Sequence, residues 1–399
     1  MTNARLKAGW RKVKFGDIAE NIAVRVSPAS ADTDVYVGLE HLEPETLHLR
    51  RWGHPSDVEG DKLRFCKGDV IFARRRAYQR KLALAEFDGI CSAHAMVIRA
   101  KPKMILPEFL PFFLQSDMFM ERAIEISVGS LSPTINWRVL REQEFHLSSI
   151  EEQEHIAEIL WATDDAVERW LSVSECLEAT KQIMLGRAFD EGAAVNGKWK
   201  LRKLKEVATV QTGIAKGRRY SDSEPLVELP YLRVANVKDG YLDLTEIKTL
   251  PILSSEMNRY LVKDGDVLLT EGGDFDKLGR GTVWRGEISR CLHQNHVFCV
   301  RPKNGVLLPD FLSYQAASSY GKTYFLKCAK KTSNLASINS TQVKDFPVLL
   351  PPLEEQQRMI RIVKALESEL FQCNEHLGLL RSLLKSYLTS IGNGKDLHV

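Results

Sequence analysis

The sequence predicts an α+β fold: two tandem duplicated globular domains joined by two long antiparallel coiled-coil helices, with pseudo-twofold symmetry. Three observations carry this. Leu350-Pro351-Pro352-Leu353-Glu354-Glu355-Gln356 opens an amphipathic run reaching about Thr389. Ser148-Ser149-Ile150-Glu151-Glu152-Gln153 opens a similar run 203 positions earlier. Between the two starts, matched segments recur in the same order in each half.

The first half opens with Trp10-Arg11-Lys12-Val13-Lys14-Phe15-Gly16-Asp17-Ile18 and the second with Trp199-Lys200-Leu201-Arg202-Lys203-Leu204-Lys205-Glu206-Val207. Both read as a short strand turning into a short helix. Strand-like segments follow at Val35–Leu39 and Pro230–Val234. Lys67-Gly68-Asp69-Val70-Ile71-Phe72 and Asp264-Gly265-Asp266-Val267-Leu268-Leu269 each read as a tight turn leading into a core strand. His94–Arg99 matches His296–Arg301. Next come Leu106-Pro107-Glu108-Phe109-Leu110 and Leu308-Pro309-Asp310-Phe311-Leu312, helix starts with proline in the first turn. Ile135-Asn136 pairs with Ile338-Asn339. The offset drifts only from 189 at the tryptophans to 203 at the Glu-Glu-Gln pairs. A period of this length implies two copies of a domain and excludes a solenoid.

Each copy is followed by a heptad pattern, the signature of a coiled coil. The first helix has the seams Ile156, Thr163, Trp170, Leu177, Met184 and Leu160, Val167, Ser174, Lys181. The second has Met359, Leu366, Cys373, Leu380, Tyr387 and Val363, Leu370, Leu377, Leu384, apolar throughout. Ser149 and Glu152 form a capping box, and the paired glutamates suit the positive end of the helix dipole. About 38 residues at ~1.5 Å each make a rod of about 57 Å. Trp170 reads as a core seam residue. Leu379, Leu383 and Leu388 add an apolar stripe that fits a third packing surface. Glu191–Gly197 reads as a linker. The expected divisions are residues 1–149, 150–192, 193–352 and 353–399.

Apolar content of 44% and charged content of 27% exclude global disorder, and a net charge of +3 is too small to be diagnostic. No apolar run is long enough to span a bilayer, and Met1–Arg5 lacks a signal core. Seven cysteines without a Cys-x-x-Cys pair suggest free thiols in a reducing cytosol, so a cytoplasmic location is expected.

The ordered, duplicated set of Pro351-Pro352-Leu353-Glu354-Glu355-Gln356, Gly68-Asp69-Val70, Gly265-Asp266-Val267, Gln294-Asn295-His296 and the Ile-Asn pairs resembles the specificity subunits of type I restriction-modification systems. The resemblance spans essentially the whole chain. In the first half Ser148-Ser149 replaces the prolines and Ser92-Ala93-His94 replaces Gln-Asn-His. It implies that each globular copy is a target recognition domain, or head, reading one half of a split site in double-stranded DNA. The helices are then a spacer that also docks two modification (methyltransferase) subunits, which bind S-adenosylmethionine and methylate adenine. Restriction/translocase subunits join them. No catalytic residue, cofactor or metal is expected on this chain, and no membrane.

DNA-binding candidates come from basic loops leaving the core. In the first half they are Arg74, Arg75, Arg76, Arg80 and Lys81, with Tyr78 between. Arginine grips phosphate and can read guanine bidentately. The same place in the second half holds Glu271-Gly272-Gly273-Asp274. Its basic candidates are Lys216, Arg218, Arg219, Lys277 and Arg280, with Lys330-Lys331 as a further phosphate contact. Shared scaffolds with different loops suit two different half-sites.

Several enzyme signals fail on inspection. Ala316 to Thr323 loosely resembles a phosphate loop, but helix-like residues precede it. Cys291, His293, His296 and Cys299 lack zinc spacing and read as a core strand. Asp243 with Glu246-Ile247-Lys248 is a chance nuclease-like fragment. The Pro-Pro-aromatic motif of amino-methyltransferases is absent. The alternative reading is a coiled-coil protein–protein scaffold without DNA readout. Steeply salt-dependent DNA retention separates the two.

Overall fold

Strands Arg11–Lys14 and Lys200–Lys203 each lead into a one-turn helix, Phe15–Ile18 and Leu204–Val207, as the repeated openings predict. The computed structural model describes residues 9–191, 199–217, 220, 225–273, 275, 278–331 and 336–391. The chain forms two units, residues 1–171 with 375–399 and residues 172–374. Their boundaries fall inside the long helices Ile150–Gly186 and Leu353–Ser390. Each unit therefore carries a head, the start of the long helix after it and the end of the other long helix.

In the first unit an antiparallel sheet runs in the order Ala19–Asn21, Met96–Ala100, Val70–Phe72, Leu82–Leu84. A second sheet runs Arg25–Val26, Lys62–Phe65, Gly89–Cys91, Tyr36–Val37, its last pair parallel. The apolar run Val70-Ile71-Phe72 is continuous because both of its faces are buried. Val70 and Phe72 enter the core with Phe15, Phe112 and Phe119, while Ile71 enters another with Val37 and Phe65. Each such buried side chain is worth about 1.5–3 kcal/mol.

The second unit repeats the design. Its sheet order is Ala208–Thr212, Val297–Pro302, Val267–Thr270, Gly281–Val283. Val267 and Leu269 face one core and Leu268 another. Strand Leu226–Leu232 pairs parallel with Leu292–His293, as Tyr36–Val37 does with Gly89–Cys91.

The Gly-Asp turns have one physical cause in both units. Gly68 and Gly265 sit at φ 92° and 84°, where a side chain is strained. The following Asp69 and Asp266 are buried. Asp69 accepts from Cys66 N (2.8 Å) and from Arg99 Nε and Nη2 (2.7 and 2.9 Å). Asp266 accepts from Lys263 N (2.7 Å) and from Arg301 Nε and Nη2 (2.7 and 2.6 Å). A buried carboxylate needs this much compensation, and the Arg at the end of each matched His-to-Arg segment supplies it.

The Glu-Glu-Gln motif fastens each head to its helix. Gln153 and Gln356 are fully buried. Gln153 Oε1 accepts from Leu106 N (2.9 Å), and its Nε2 donates to Met104 O (3.3 Å) and Ser148 O (3.0 Å). Gln356 makes the same set with Leu308 N (2.9 Å), Val306 O and Pro351 O (both 3.0 Å). The second glutamate of each motif accepts from the tryptophan that opens the half. Trp10 Nε1 donates to Glu152 at 3.0 Å and Trp199 Nε1 to Glu355 at 2.7 Å. Ser149 Oγ accepts from Glu152 N at 3.3 Å, completing one arm of the expected cap.

The seam residues of both helices are buried or half-buried, including the polar Thr163, Ser174 and Lys181. Thr163 is tolerated because its hydroxyl donates to Ile159 O at 2.8 Å. In the first unit Ile156 and Leu160 share a core with Leu384, Tyr387 and Ile391, and Trp170 stacks on His376 at 4.8 Å. One helix ascends as the other descends. Trp170 is half-buried under that stack. In the second unit Leu185 and Val363 share a core, against which Met184, Met359 and Ile360 pack. Leu388 packs on the first unit's core, whereas Leu379 and Leu383 are 69% and 44% exposed.

A charged clasp further ties the first head to its helix. His48, with a side chain 22% exposed, contacts Asp164 Oδ2 at 2.8 Å and Glu86 Oε1 at 2.7 Å. The hydrogen bond to Asp164 raises its pKa to about 9, so both ring nitrogens donate at neutral pH. Arg50 pairs with Glu168 one turn further along, at 2.5 Å.

Some local expectations shift. Helix Leu110–Gln115 begins three residues beyond Pro107, with Pro111 in its first turn, while its counterpart does begin at Pro309. The strand expected at Val35–Leu39 contracts to Tyr36–Val37. His94 and His296 lie in turns just before their strands. Glu191 ends a π-helical turn from Arg187, and the remaining linker residues lie outside the described residues.

Replacing Gln153 by Leu strands three backbone groups, each costing about 1–3 kcal/mol when unpaired. Urea unfolding should show a loss of about 3 kcal/mol or more in the first unit, and Gln356→Leu the same in the second. Unchanged midpoints would remove the fastening role.

Candidate nucleic-acid interface

The basic loop of the first head is built on the end of strand Val70–Phe72. Ala73 N bonds Lys81 O (3.0 Å), closing the loop, and Ile135 N bonds Arg74 O (3.0 Å), tying it to the next segment. Asn136 then caps the short helix Trp137–Leu140 through Arg138 N at 2.9 Å. The recurrent Ile-Asn is thus a buried anchor followed by a cap.

The five basic candidates are not equivalent. Arg74 is half-buried and donates from Nη2 to Ala93 O at 3.1 Å. Arg75 and Arg76 are exposed. Their backbone leans on the segment before Ile135, through a bridge from Arg75 to Thr134 and a 2.8 Å bond from Arg76 N to Pro133 O. Arg80 is exposed but tethered: it donates to Asp117 Oδ1 (2.6 Å) and Gln115 O (3.0 Å). Asp117 also accepts from Thr389 Oγ1 at 2.7 Å, so Arg80 belongs to a joint within this unit. Lys81 Nζ is 3.3 Å from Leu39 O.

Two of these arginines bracket the 3-10 turn Ala77–Gln79 in left-handed conformations, Arg76 at φ 56° and Arg80 at φ 53°. Such strain costs about 1–2 kcal/mol for a residue other than glycine and concentrates at functional sites. Tyr78, already placed among the arginines by the sequence, is 54% exposed, and the sequence did not point to Leu131, 91% exposed, and Val128, 77% exposed, on the neighbouring segment. His94 is exposed; partial burial, then Arg75 and Arg74, hold its imidazole below the ordinary value, so it is neutral at pH 7. Charge alone could not single out Leu131, whose signal is isolated apolar exposure on a loop. Two exposed guanidinium forks, Arg76 with its Nε 3.4 Å from Ser132 Oγ, an aromatic ring and apolar tips can grip phosphate and touch base edges.

In the second head the corresponding bonds are Thr270 N to Arg280 O (3.0 Å) and Ile338 N to Glu271 O (2.8 Å). Lys216 lies in a turn and is exposed, and Arg280 is half-buried. Arg218, Arg219 and Lys277 lie outside the described residues. Lys330 is exposed on a two-residue strand paired with Ser337. The structure therefore brings Arg74 to Lys81 onto one loop, whereas the described candidates of the second head, Lys216, Arg280 and Lys330, come from three separate segments.

The rejected enzyme signals resolve into structure. Cys291 and Cys299 are buried in one core, and burial pushes the Cys291 thiol up to about 12. His293 is buried with Nδ1 on Val297 O at 2.7 Å. No group of three or more His, Cys, Asp or Glu among the described residues is placed to hold a metal. Gly321 lies inside the helix Ser319–Cys328, away from any strand-to-helix turn. Among the described residues, no helix is long and apolar enough to cross a membrane.

The family model for the type I restriction modification DNA specificity domain matches residues 7–171 and again 196–377. The chain belongs to the type I specificity family. It is 27% identical over 371 residues to the EcoKI specificity subunit of Escherichia coli, covering 86% of this chain and 75% of that relative. It is 22% identical over 390 residues to the MjaVIII specificity subunit of Methanocaldococcus jannaschii, covering 92% and 88%. Its fold matches a type I S subunit from M. genitalium with a TM-score of 0.62 and 16% identity, over 100% and 99% of the two chains. A member of this family is the non-catalytic specificity component of its system.

Arg76→Gly relieves the left-handed strain while adding backbone freedom, two terms of about 1 kcal/mol that oppose each other. Thermal unfolding should barely change, whereas DNA binding should weaken several-fold and the salt slope should fall by about one. Unchanged affinity would take Arg76 off the interface.

Proposed function

We propose that each head reads one half of a split site in duplex DNA. The carrying observation is one scaffold used twice with different loops. The Gly-Asp turn, the Ile-Asn anchor and the Glu-Glu-Gln fastening recur, while Arg74-Arg75-Arg76 gives way to Glu271-Gly272-Gly273. Arg74, Arg75 and Arg76 of the first head make its phosphate and base contacts, with Arg75 and Arg76 the more exposed, and Arg80 and Lys81 add positive charge to the same loop. Lys216, Arg280 and Lys330 supply positive charge in the second head, together with Arg218, Arg219 and Lys277.

In this reading the long helices set the gap between half-sites and dock two modification subunits. Those subunits bring S-adenosylmethionine and methylate adenine, and restriction subunits join the same core in the cytoplasm. Half-sites read from one face of the duplex lie about one turn, ~34 Å, apart, within reach of helices about 57 Å long.

The test is binding by the chain assembled with its modification subunits to duplexes in which the gap between half-sites varies. One optimum is expected, with affinity falling steeply with salt. Seven residues added to each long helix lengthen it by about 10 Å, so the optimum should move by about three base pairs at ~3.4 Å each. An unmoved optimum removes the spacer role; DNA retention that is absent, or insensitive to salt, removes the DNA reading.

A further inference from the structure

The two heads carry opposite charges at one structural position. Arg74 and Glu271 each follow the residue that closes the loop, Ala73 or Thr270, and each gives its carbonyl to the buried isoleucine anchor, Ile135 or Ile338. The histidines beside them are equivalent too. His94 and His296 each occupy the turn before the third matched strand, where Ala95 N bonds Ser92 O (2.9 Å) and Val297 N bonds Gln294 O (2.8 Å). A shared histidine is scaffold. The side chain that differs is the arginine in one head and the carboxylate in the other.

The carboxylate is held at the surface. Glu271 Oε2 lies 2.5 Å from His296 Nδ1, with the glutamate side chain 30% and the imidazole 52% exposed. Asn295 Nδ2 is 3.4 Å from the other ring nitrogen. With a proton on Nδ1, the imidazole donates to Glu271. That bond occupies one carboxylate oxygen and leaves acceptor capacity on the other. The next residues are Gly272 and Gly273, which add no side chain beside it. A Cβ on Gly272 would meet Ala336 O at 2.6 Å, so the packing of this short strand admits no side chain at that position.

An ionised carboxylate only accepts hydrogen bonds. In the major groove the bases that donate are cytosine, through N4, and adenine, through N6; guanine O6 and N7 and thymine O4 present only acceptors there. We propose that Glu271 is a specificity-determining residue of the second head. It accepts from the exocyclic amino group of a cytosine or adenine in that half-site and disfavours guanine or thymine at the same place. His296 is the residue that aims it. The first head, with arginines on the equivalent loop, has the complementary preference for guanine.

This inference rests on the heads being DNA readers, and the experiment separates the two claims. The full chain, assembled with its modification subunits, is selected against duplexes randomised in both half-sites. Glu271→Gln should cut discrimination at one base pair of one half-site by roughly ten-fold and leave the other half-site unchanged. His296→Ala, which leaves the carboxylate present but unaimed, should lose part of that discrimination at the same base pair. Wild-type preferences in both variants overturn the role of Glu271 while the reading of the heads stands. So does a uniform loss of affinity with unchanged preference, which marks the pair as structural. A wild-type complex with no sequence preference overturns both claims.

Discussion

A buried glutamine amide at the head of each long helix is the contact on which the rest of the architecture depends. Gln153 and Gln356 each satisfy three backbone groups: one N–H and one C=O from the loop before the matched helix starts, and the C=O that ends the approach to the long helix. Burying an amide is unfavourable unless its hydrogen bonds are made. The site therefore holds one geometry, in which the helix leaves its head along a fixed direction. The Trp–Glu bond beside it brings the opening of each half to the same joint.

Behind the joint, the invariant parts are those with no freedom to change. The Gly-Asp turn needs a left-handed glycine and a buried carboxylate, and the carboxylate needs the arginine that closes the matched strand. The central strand is apolar on both faces because two cores meet across it. The loop beyond it is seated on the cores by small or single apolar residues, Ala73 and Ala77 in one head and Leu278 in the other. There the first head carries exposed arginines and the second a glutamate hydrogen-bonded to a histidine.

Much of this was legible in the amino-acid order because it is periodic or duplicated. The seams from Met359 to Tyr387 follow a repeat that only a packed helix requires, and the twin Glu-Glu-Gln starts coincide with helices beginning at Ile150 and Leu353. What escaped was set by partners distant in sequence. Arg80 looks free beside Arg76, yet it is held by Asp117. Gln153 reads as an ordinary first-turn residue until Met104 and Leu106 are brought to it. Pro107 predicts a helix start that Pro111 takes over. The interrupted seam of the first helix is buried or half-buried despite Thr163, whose hydroxyl bonds within its own helix.

The central claim is that one scaffold is used twice to read two different half-sites. Adenine methylation mapped across a genome, in cells expressing the modification subunits with and without this chain, tests it most directly. The account predicts a chain-dependent motif in two separated parts, of which substitutions in the Arg74–Arg76 loop alter one and leave the other intact. Methylation that does not depend on the chain, or a single continuous motif lost as a whole, would contradict it.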